Sequence, residues 1–330
     1  MLIDEVNRAA ARLRLKGLRL LVAVSGGIDS IALVHALLEI AGGNRLKLSI
    51  GHVNHGLRGG ESEADQRAVS ELADELGLPF WARRVDPAQR RSGRSSRERP
   101  TLQEAARTLR YQALREMAAE ADCQRLATAH NADDQAETVL LRLLRGSGPD
   151  GLAGIPERSR DGVVVRPMLH VSRQEIESYA ATRGLLWRED RSNSSSAYAR
   201  NRLRLHWLPG LAKDFNDQLL RAIGNLAEAQ RRDSEWIATL VEREAAVRFI
   251  PESGWLRVAP EGWDVLPEAL ARRLARWGLR RCGGERDTSR VHLERMLDFL
   301  RSGRGGTRIE LPGGIRLERD RAGFRLGPIQ

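Results

Sequence analysis

The sequence predicts an α/β fold, a Rossmann-like parallel sheet followed by a smaller, mainly helical α+β domain. Three observations carry that prediction. Short apolar runs alternate with stretches of helical spacing through the first two thirds of the 330 residues. Polar, glycine-bearing loops follow those runs, at the strand ends where open α/β sheets hold ligands. From about residue 211 the alternation stops and helical spacing takes over. The domain boundary is drawn there, giving one domain over 1–210 and a second over 211–330, each long enough to bury a core.

Residues 2–16 read as an amphipathic helix, charged throughout and unlike a signal peptide. The apolar run 18–24 is too short for a membrane span and reads as a buried strand. Ser25-Gly26-Gly27-Ile28-Asp29-Ser30 then turns it into a helix over 31–38. The glycines let backbone approach backbone, so N–H groups at the helix start can converge on a phosphate. Ser25 and Ser30 add hydroxyl donors, and Asp29 can hold a divalent cation against phosphate oxygens. No Gly-Lys-Ser/Thr follows, so this is not a Walker A loop. A plain capped strand-to-helix turn is the alternative reading.

Gly42-Gly43-Asn44 reads as a turn and 46–53 as a second strand, which ends in the polar loop Asn54-His55-Gly56-Leu57-Arg58. A helix over 61–76 and a third strand over 79–85 follow. Residues 86–100 carry Arg90, Arg91, Arg94, Arg97 and Arg99 among serines, which suits either a solvated loop or a contact to RNA phosphates. Thr101 and Glu104 are spaced as a capping box for a helix over 101–119. A fourth strand, 124–129, delivers His130-Asn131-Ala132-Asp133-Asp134-Gln135-Ala136-Glu137-Thr138 to the same sheet edge. Asp133, Asp134 and Glu137 exceed what capping one helix needs, and a cationic substrate or Mg²⁺ would account for the excess. A fifth strand spans 163–167, and Ser172 with Glu175 caps a helix over 172–183. Beyond 211 come helices over 216–246, 267–281 and 292–300 and a hairpin turned at Pro312-Gly313-Gly314. Trp236, Trp255, Trp263 and Trp277 are assigned to the second core.

The chain carries 54 basic and 44 acidic residues, a net charge of +10, and only Lys16, Lys47 and Lys213 are lysines. An arginine surplus favours a polyanionic partner such as nucleic acid, with a solvated basic surface as the plainer reading. Cys123 and Cys282 stand alone, which excludes a disulfide framework and a C-x-x-C site. The expectation is a soluble, cytoplasmic protein with no membrane partner; the sequence admits a homodimer without deciding on one.

Ser-Gly-Gly-x-Asp-Ser resembles the PP-loop of the ATP pyrophosphatases, which cleave ATP between the α- and β-phosphates. Four further stretches narrow the resemblance to the tRNA(Ile)-lysidine synthetases. They are His52-Val53-Asn54-His55-Gly56-Leu57-Arg58; Glu104 to Tyr111; His130 to Thr138; and Glu189-Asp190-Arg191-Ser192-Asn193 with Tyr198-Ala199-Arg200-Asn201-Arg202-Leu203-Arg204. Arg145-Gly146-Ser147-Gly148 also looks like that family's R-G-S-G loop. The resemblance implies ATP and Mg²⁺ as cosubstrate and cofactor, and free L-lysine and the CAU-anticodon isoleucine tRNA as partners. It implies an ATP site of Ser25, Gly26, Gly27, Ile28, Asp29, Ser30, His52, His130, Arg145 and Gly146, with Asp29 and Asp133 on the metal. Asp134 and Glu137 would face lysine, and Arg110 would stabilise the α-phosphate. Arg200, Arg202 and Arg204, close to the expected domain boundary, suit either a bridge to the tRNA or ordinary interdomain packing. The second domain is read as a tRNA-binding or linking element. Family members often carry a further C-terminal domain, and this sequence ends without one. The alternatives weighed are a tRNA 2-thiocytidine-type sulfurtransferase, which looks for paired cysteines, and a non-catalytic RNA-binding protein, which has no need of clustered acids.

Overall fold

The computed structural model describes residues 2–56, 60–89, 101–188, 199–284 and 288–329. The chain forms two compact units, Met1–Arg231 and Arg232–Gln330. Five strands build the sheet of the first: β1 (Arg19–Ala23), β2 (Lys47–Asn54), β3 (Phe80–Arg84), β4 (Arg125–Ala127) and β5 (Val164–Val165). All pairings are parallel and the order is β3-β2-β1-β4-β5. The strand order therefore reverses between β1 and β4, the switch point at whose C-terminal strand ends open α/β sheets form a ligand crevice.

Helices cover both faces, which is why the strands read as continuous apolar runs. On one face α1 (Leu2–Arg12), α2 (Ile28–Asn44), α3 (Gly60–Glu75) and α7 (Arg173–Thr182) pack on Leu20, Val22 and Ile50. On the other, α4 (Leu102–Glu120) brings Leu114, Met117 and Ala118 against Leu21, Leu126 and Val164. Successive residues of β1 thus feed opposite cores, as the strand period requires. Burying one such leucine side chain contributes about 1.5–3 kcal/mol. The capping boxes Thr101/Glu104 and Ser172/Glu175 both form.

Gly42 and Gly43 do not make the expected turn. Helix α2 continues to Asn44 and stops where Arg45 takes a left-handed conformation, φ 52°. Asn44 bonds Ile40 O and the Asn7 side chain on α1, offsetting the cost of two glycines in a helix. After β4 come α5 (Ala132–Leu144) and the short α6 (Pro149–Leu152). Then follow α8 (Ala199–Arg202), a π-helical turn (Leu203–Trp207), α9 (Leu208–Phe215) and α10 (Leu219–Arg248). Leu208, Ile223 and Ala227 pack on Ala136 and Val139 of α5. That contact carries the first unit on to Arg231.

The second unit is richer in strand than its sequence suggests. To the expected hairpin of β8 (Arg308–Leu311) and β9 (Ile315–Asp320) it adds β6 (Phe249–Glu252), β7 (Trp255–Val258) and β10 (Gly323–Pro328). They form an antiparallel sheet in the order β6-β7-β10-β9-β8, whose core receives α11 (Glu268–Arg281) and α12 (Arg290–Ser302). Trp263 fills that core at 1 % exposure and Trp277 packs beside it, but Trp236 is 65 % exposed and lies outside it. Among the described residues no helix is long and apolar enough to cross a membrane.

A buried helical glycine gives this packing a testable sign. A Cβ on Gly278 of α11 would lie 2.8 Å from Phe249 Cε1 and 3.0 Å from Leu326 Cδ2. Gly→Ala inside a helix ordinarily gains about 1 kcal/mol. Here overpacking costs about 1–3 kcal/mol and wins. Urea unfolding of Gly278→Ala is expected to show a lower midpoint than the parent; a higher midpoint would refute the close approach.

Candidate active site

The crevice between β1 and β4 is lined by the two loops that leave those strands. In the first, Gly26 sits at φ +92°, a conformation that strains any residue with a Cβ. Ser30 Oγ donates to Gly27 O at 2.8 Å and accepts from Ser25 N at 3.1 Å, holding the loop closed. No side chain caps α2, so its first N–H groups face the loop, where the helix dipole favours an anion.

In the second, Asn131 caps α5. Its side chain accepts from Asp134 N at 3.0 Å, and Asp134 Oδ2 accepts from Asn131 N at 3.3 Å. One of the three acids, Asp134, therefore serves the cap, and two remain beyond it. The two loops are tied together through Asp29. Its Oδ1 accepts from Asn131 Nδ2 at 3.1 Å and its Oδ2 from Arg173 Nη1 at 2.6 Å. The backbone N–H of Arg173 in turn donates to Asp133 Oδ2 at 2.8 Å. Burial raises the Asp29 carboxyl above its ordinary value; Arg173 opposes that shift and Asp134 adds to it. Asp133 is thus engaged at the start of α7, and no three carboxylate, imidazole or thiolate side chains gather as a cation cage among the described residues. Asp29 still suits Mg²⁺, which keeps waters and phosphate oxygens and needs only one or two protein carboxylates.

One turn along α5, Glu137 has no exposed side-chain surface. Arg204 Nε donates to its Oε1 at 2.6 Å, and Arg204 Nη2 lies 3.4 Å from Asp134 Oδ1. Arg200 donates to Thr138 Oγ1 at 2.8 Å and brings Nε to 3.2 Å from Glu137 Oε2, outside hydrogen-bonding alignment. Glu137 Oε2 is therefore a buried acceptor with no donor. Burial raises the Glu137 carboxyl, although Arg204 pulls the other way. Burial works against the Arg204 charge too, but Glu137, then Asp134 and Asp29, outweigh it, and that guanidinium is held protonated more firmly than usual.

Two histidines close the site. His52 is 4 % exposed with Nδ1 2.9 Å from Val24 O, and burial lowers its pKa. The carbonyl can only accept, so Nδ1 carries the proton and Nε2 is left as an acceptor. His130 Nδ1 meets Thr128 Oγ1 at 3.0 Å. Desolvation, then Arg166, Arg107, Arg110 and Arg200, hold its pKa well below 6.5. Arg107 and Arg110 both lie over the Tyr111 ring, at 5.2 and 5.4 Å, and burial lowers the Arg110 pKa.

Not every expected residue joins them. Arg145 and Gly146 stand at the far end of α5, whose 13 residues span about 20 Å at a rise of 1.5 Å each. Arg202 is exposed on α8 while Arg200 and Arg204 turn onto the acids. Leu57, Arg58, Arg90, Arg91, Arg94, Arg97, Arg99, Glu189 to Asn193 and Tyr198 lie outside the described residues. Sequence reasoning missed the roles of Asn131, Arg173 and Arg166. For Asn131 the signal was present as an Asn three residues before an acid at a helix start. Nothing local marks Arg173 as the partner of Asp29, or Arg166, 6 % exposed on Pro156 O at 2.6 Å, as a neighbour of His130.

Residues 3–211 match the PP-loop domain family, and residues 261–322 the TilS substrate binding domain family. The tRNA(Ile)-lysidine synthase of Solibacter usitatus is 38 % identical over 312 residues, 94 % of this chain and 68 % of that protein. That of Symbiobacterium thermophilum is 38 % identical over 332 residues, covering 96 % and 67 %. The chain thus spans about two thirds of the length of these relatives. A U34-tRNA thiolase, NcsA of Methanococcus maripaludis, superposes with a TM-score of 0.55 at 19 % identity over 69 % of this chain and 78 % of its own, a likeness of fold alone.

The surroundings of His130 set a pH dependence. Its folded pKa lies well below 6.5, so as the pH falls below about 6.5 the unfolded imidazole takes a proton that the folded one refuses. That part of the stability is present above pH 6.5 and is lost as the pH falls toward the folded pKa. Urea unfolding at pH 7.5 and 5.5 is expected to show a smaller loss on acidification for His130→Asn than for the parent; equal losses would mean the imidazole is not held neutral.

Proposed function

The chain belongs to the tRNA(Ile)-lysidine synthase family, and from that premise we propose that it ligates free L-lysine to the 2-position of the wobble cytidine in the CAU-anticodon isoleucine tRNA. ATP drives the ligation, AMP and pyrophosphate leave, and the codon read changes from AUG to AUA. The observation that carries this reading is the junction of the phosphate-type loop with an acidic helix start, Asp29 to Asn131 at 3.1 Å. It sets a nucleotide site beside a carboxylate pair suited to an amine.

The first step needs the cytosine 2-carbonyl oxygen to attack the α-phosphorus of ATP while the bond to the β-phosphate breaks. The open N–H groups at the start of α2, with Ser25 and Ser30, grip the phosphates, and Arg110 faces the charge that develops on the α-phosphate. Asp29 would hold Mg²⁺, which when bound screens the phosphate oxygens, and Arg173 balances the same carboxylate otherwise. The neutral His52 offers Nε2 to a donor such as an exocyclic amine. In the second step the ε-amine of lysine attacks C2, the C2–O bond breaks and AMP departs with that oxygen. The attacking nitrogen must shed a proton, and Glu137, buried with Oε2 lacking a donor and its pKa raised by burial, is placed to orient the amine and accept it. Most of the rate comes from aligning three substrates. The cytidine must be splayed from its loop to reach the crevice, at modest cost in a single-stranded segment. The second unit is assigned to tRNA contact, and the cytoplasm, where tRNA, ATP and free lysine meet, to the reaction.

Two substitutions separate the steps. Asp29→Ala is expected to cut tRNA-dependent pyrophosphate release by about 10²-fold or more while tRNA binding stays within about threefold. Unchanged turnover would remove Asp29 from phosphate chemistry. Glu137→Gln is expected to keep tRNA-dependent pyrophosphate release and to slow lysine-dependent AMP release by about 10²-fold. Pyrophosphate and AMP release are measured with tRNA and lysine added singly and together; indifference of AMP release to lysine would overturn the substrate assignment.

A further inference from the structure

Two guanidiniums occupy the acids that the proposed reaction needs for its amine. Arg204 reaches both, with Nε on Glu137 Oε1 at 2.6 Å and Nη2 3.4 Å from Asp134 Oδ1, and Arg200 flanks Glu137 Oε2 at 3.2 Å. Two carboxylates and two guanidiniums balance. An ammonium arriving as a third cation beside a carboxylate of zero exposure finds that balance spent, so lysine and Arg204 compete for one place.

The element that carries Arg204 is a local irregularity. Leu203–Trp207 is a π-helical turn between α8 and α9, a rare geometry that recurs at functional sites. The Arg204 side chain is itself 36 % exposed, within reach of an outside anion. Leu205 and Trp207 on the same turn present apolar surface to solvent at 45 and 62 % exposure, which suits stacking on unpaired bases.

We propose that Arg204 is the occupant of the lysine subsite in the RNA-free protein, and that an RNA phosphate draws its guanidinium away and so admits the amine. Arg204 is a positioning residue that holds one of two anions, the Glu137–Asp134 pair or the RNA backbone. Lysine and RNA then bind cooperatively, and reciprocity requires each to raise the other's affinity by the same factor. The device keeps an amine out of the site until there is a cytidine for it to attack. It rests on the assignment of Glu137 and Asp134 to lysine.

The test is equilibrium dialysis of radiolabelled L-lysine against the full chain, without ATP so that no chemistry occurs. The wild-type protein is expected to bind lysine about tenfold or more tightly with the CAU-anticodon isoleucine tRNA present than without it. Arg204→Met, freed of the occupant, is expected to bind lysine without RNA about as tightly as the wild-type complex does, with no further gain from RNA. Wild-type lysine affinity that is indifferent to RNA overturns the proposal and needs no variant. So does an Arg204→Met protein, folded by circular dichroism, that binds lysine no better than free wild type. Should lysine bind well to the wild-type complex yet keep its affinity in Glu137→Gln, the subsite assignment itself fails, which is distinct from failure of the exchange alone.

Discussion

The site depends on a carboxylate shared between two loops and a helix. Asp29, in the first turn of α2, takes one donor from the cap of α5 and another from the first residue of α7, while Asp133 in the first turn of α5 takes the backbone N–H of that same residue. Three helix starts are thereby drawn to one point beside the switch in strand order. Each brings the positive end of its dipole and a set of N–H groups without intrahelical partners, and together they create a field for an anion that no single helix could supply. The two aspartates and Asn131 satisfy part of that field. The arrangement is compact because the parallel sheet aims β1 and β4 at the same edge and the helices have nowhere else to begin.

That construction explains how acids survive beside a polyanion. A chain of net charge +10 that handles RNA would gain nothing from carboxylates at its phosphate contacts. Here each acid has a cationic or N–H partner within the protein: Arg173 for Asp29, the α7 backbone for Asp133, Arg204 and Arg200 for Glu137. Around His130 the arginines Arg166, Arg107, Arg110 and Arg200 make the surroundings positive.

Much of the first unit was legible because its signals are local. Strands of continuous apolar residues, loops of glycine and serine behind them, and capping boxes at Thr101 and Ser172 are each written within a few neighbours. What was not legible is what depends on distance in space. Arg173 lies 144 residues from Asp29, and only the fold pairs them. The R-G-S-G loop was grouped with the nucleotide by resemblance; it stands at the opposite end of α5 from the acids. In the second unit, β6, β7 and β10 were missed because two are four residues long, one carries Pro251, and Gly323 and Gly327 dilute the alternation of the last. Such strands are set by their neighbours in the sheet rather than by their own propensity. Trp236 was placed in the core by its type, but Ile237, Val241 and Ala245 take the inward positions of that helix.

The likeness to a tRNA thiolase shows how little of the chemistry the fold decides. Cys123 and Cys282 fall in different units and both thiols are pushed up by burial, Cys282 to about 11, so neither is a ready thiolate. Glu137, by contrast, is wholly buried and keeps one oxygen without a donor. A carboxylate there repels a sulfur anion and attracts an amine that must lose a proton, which supports the proposed role of Glu137 toward lysine.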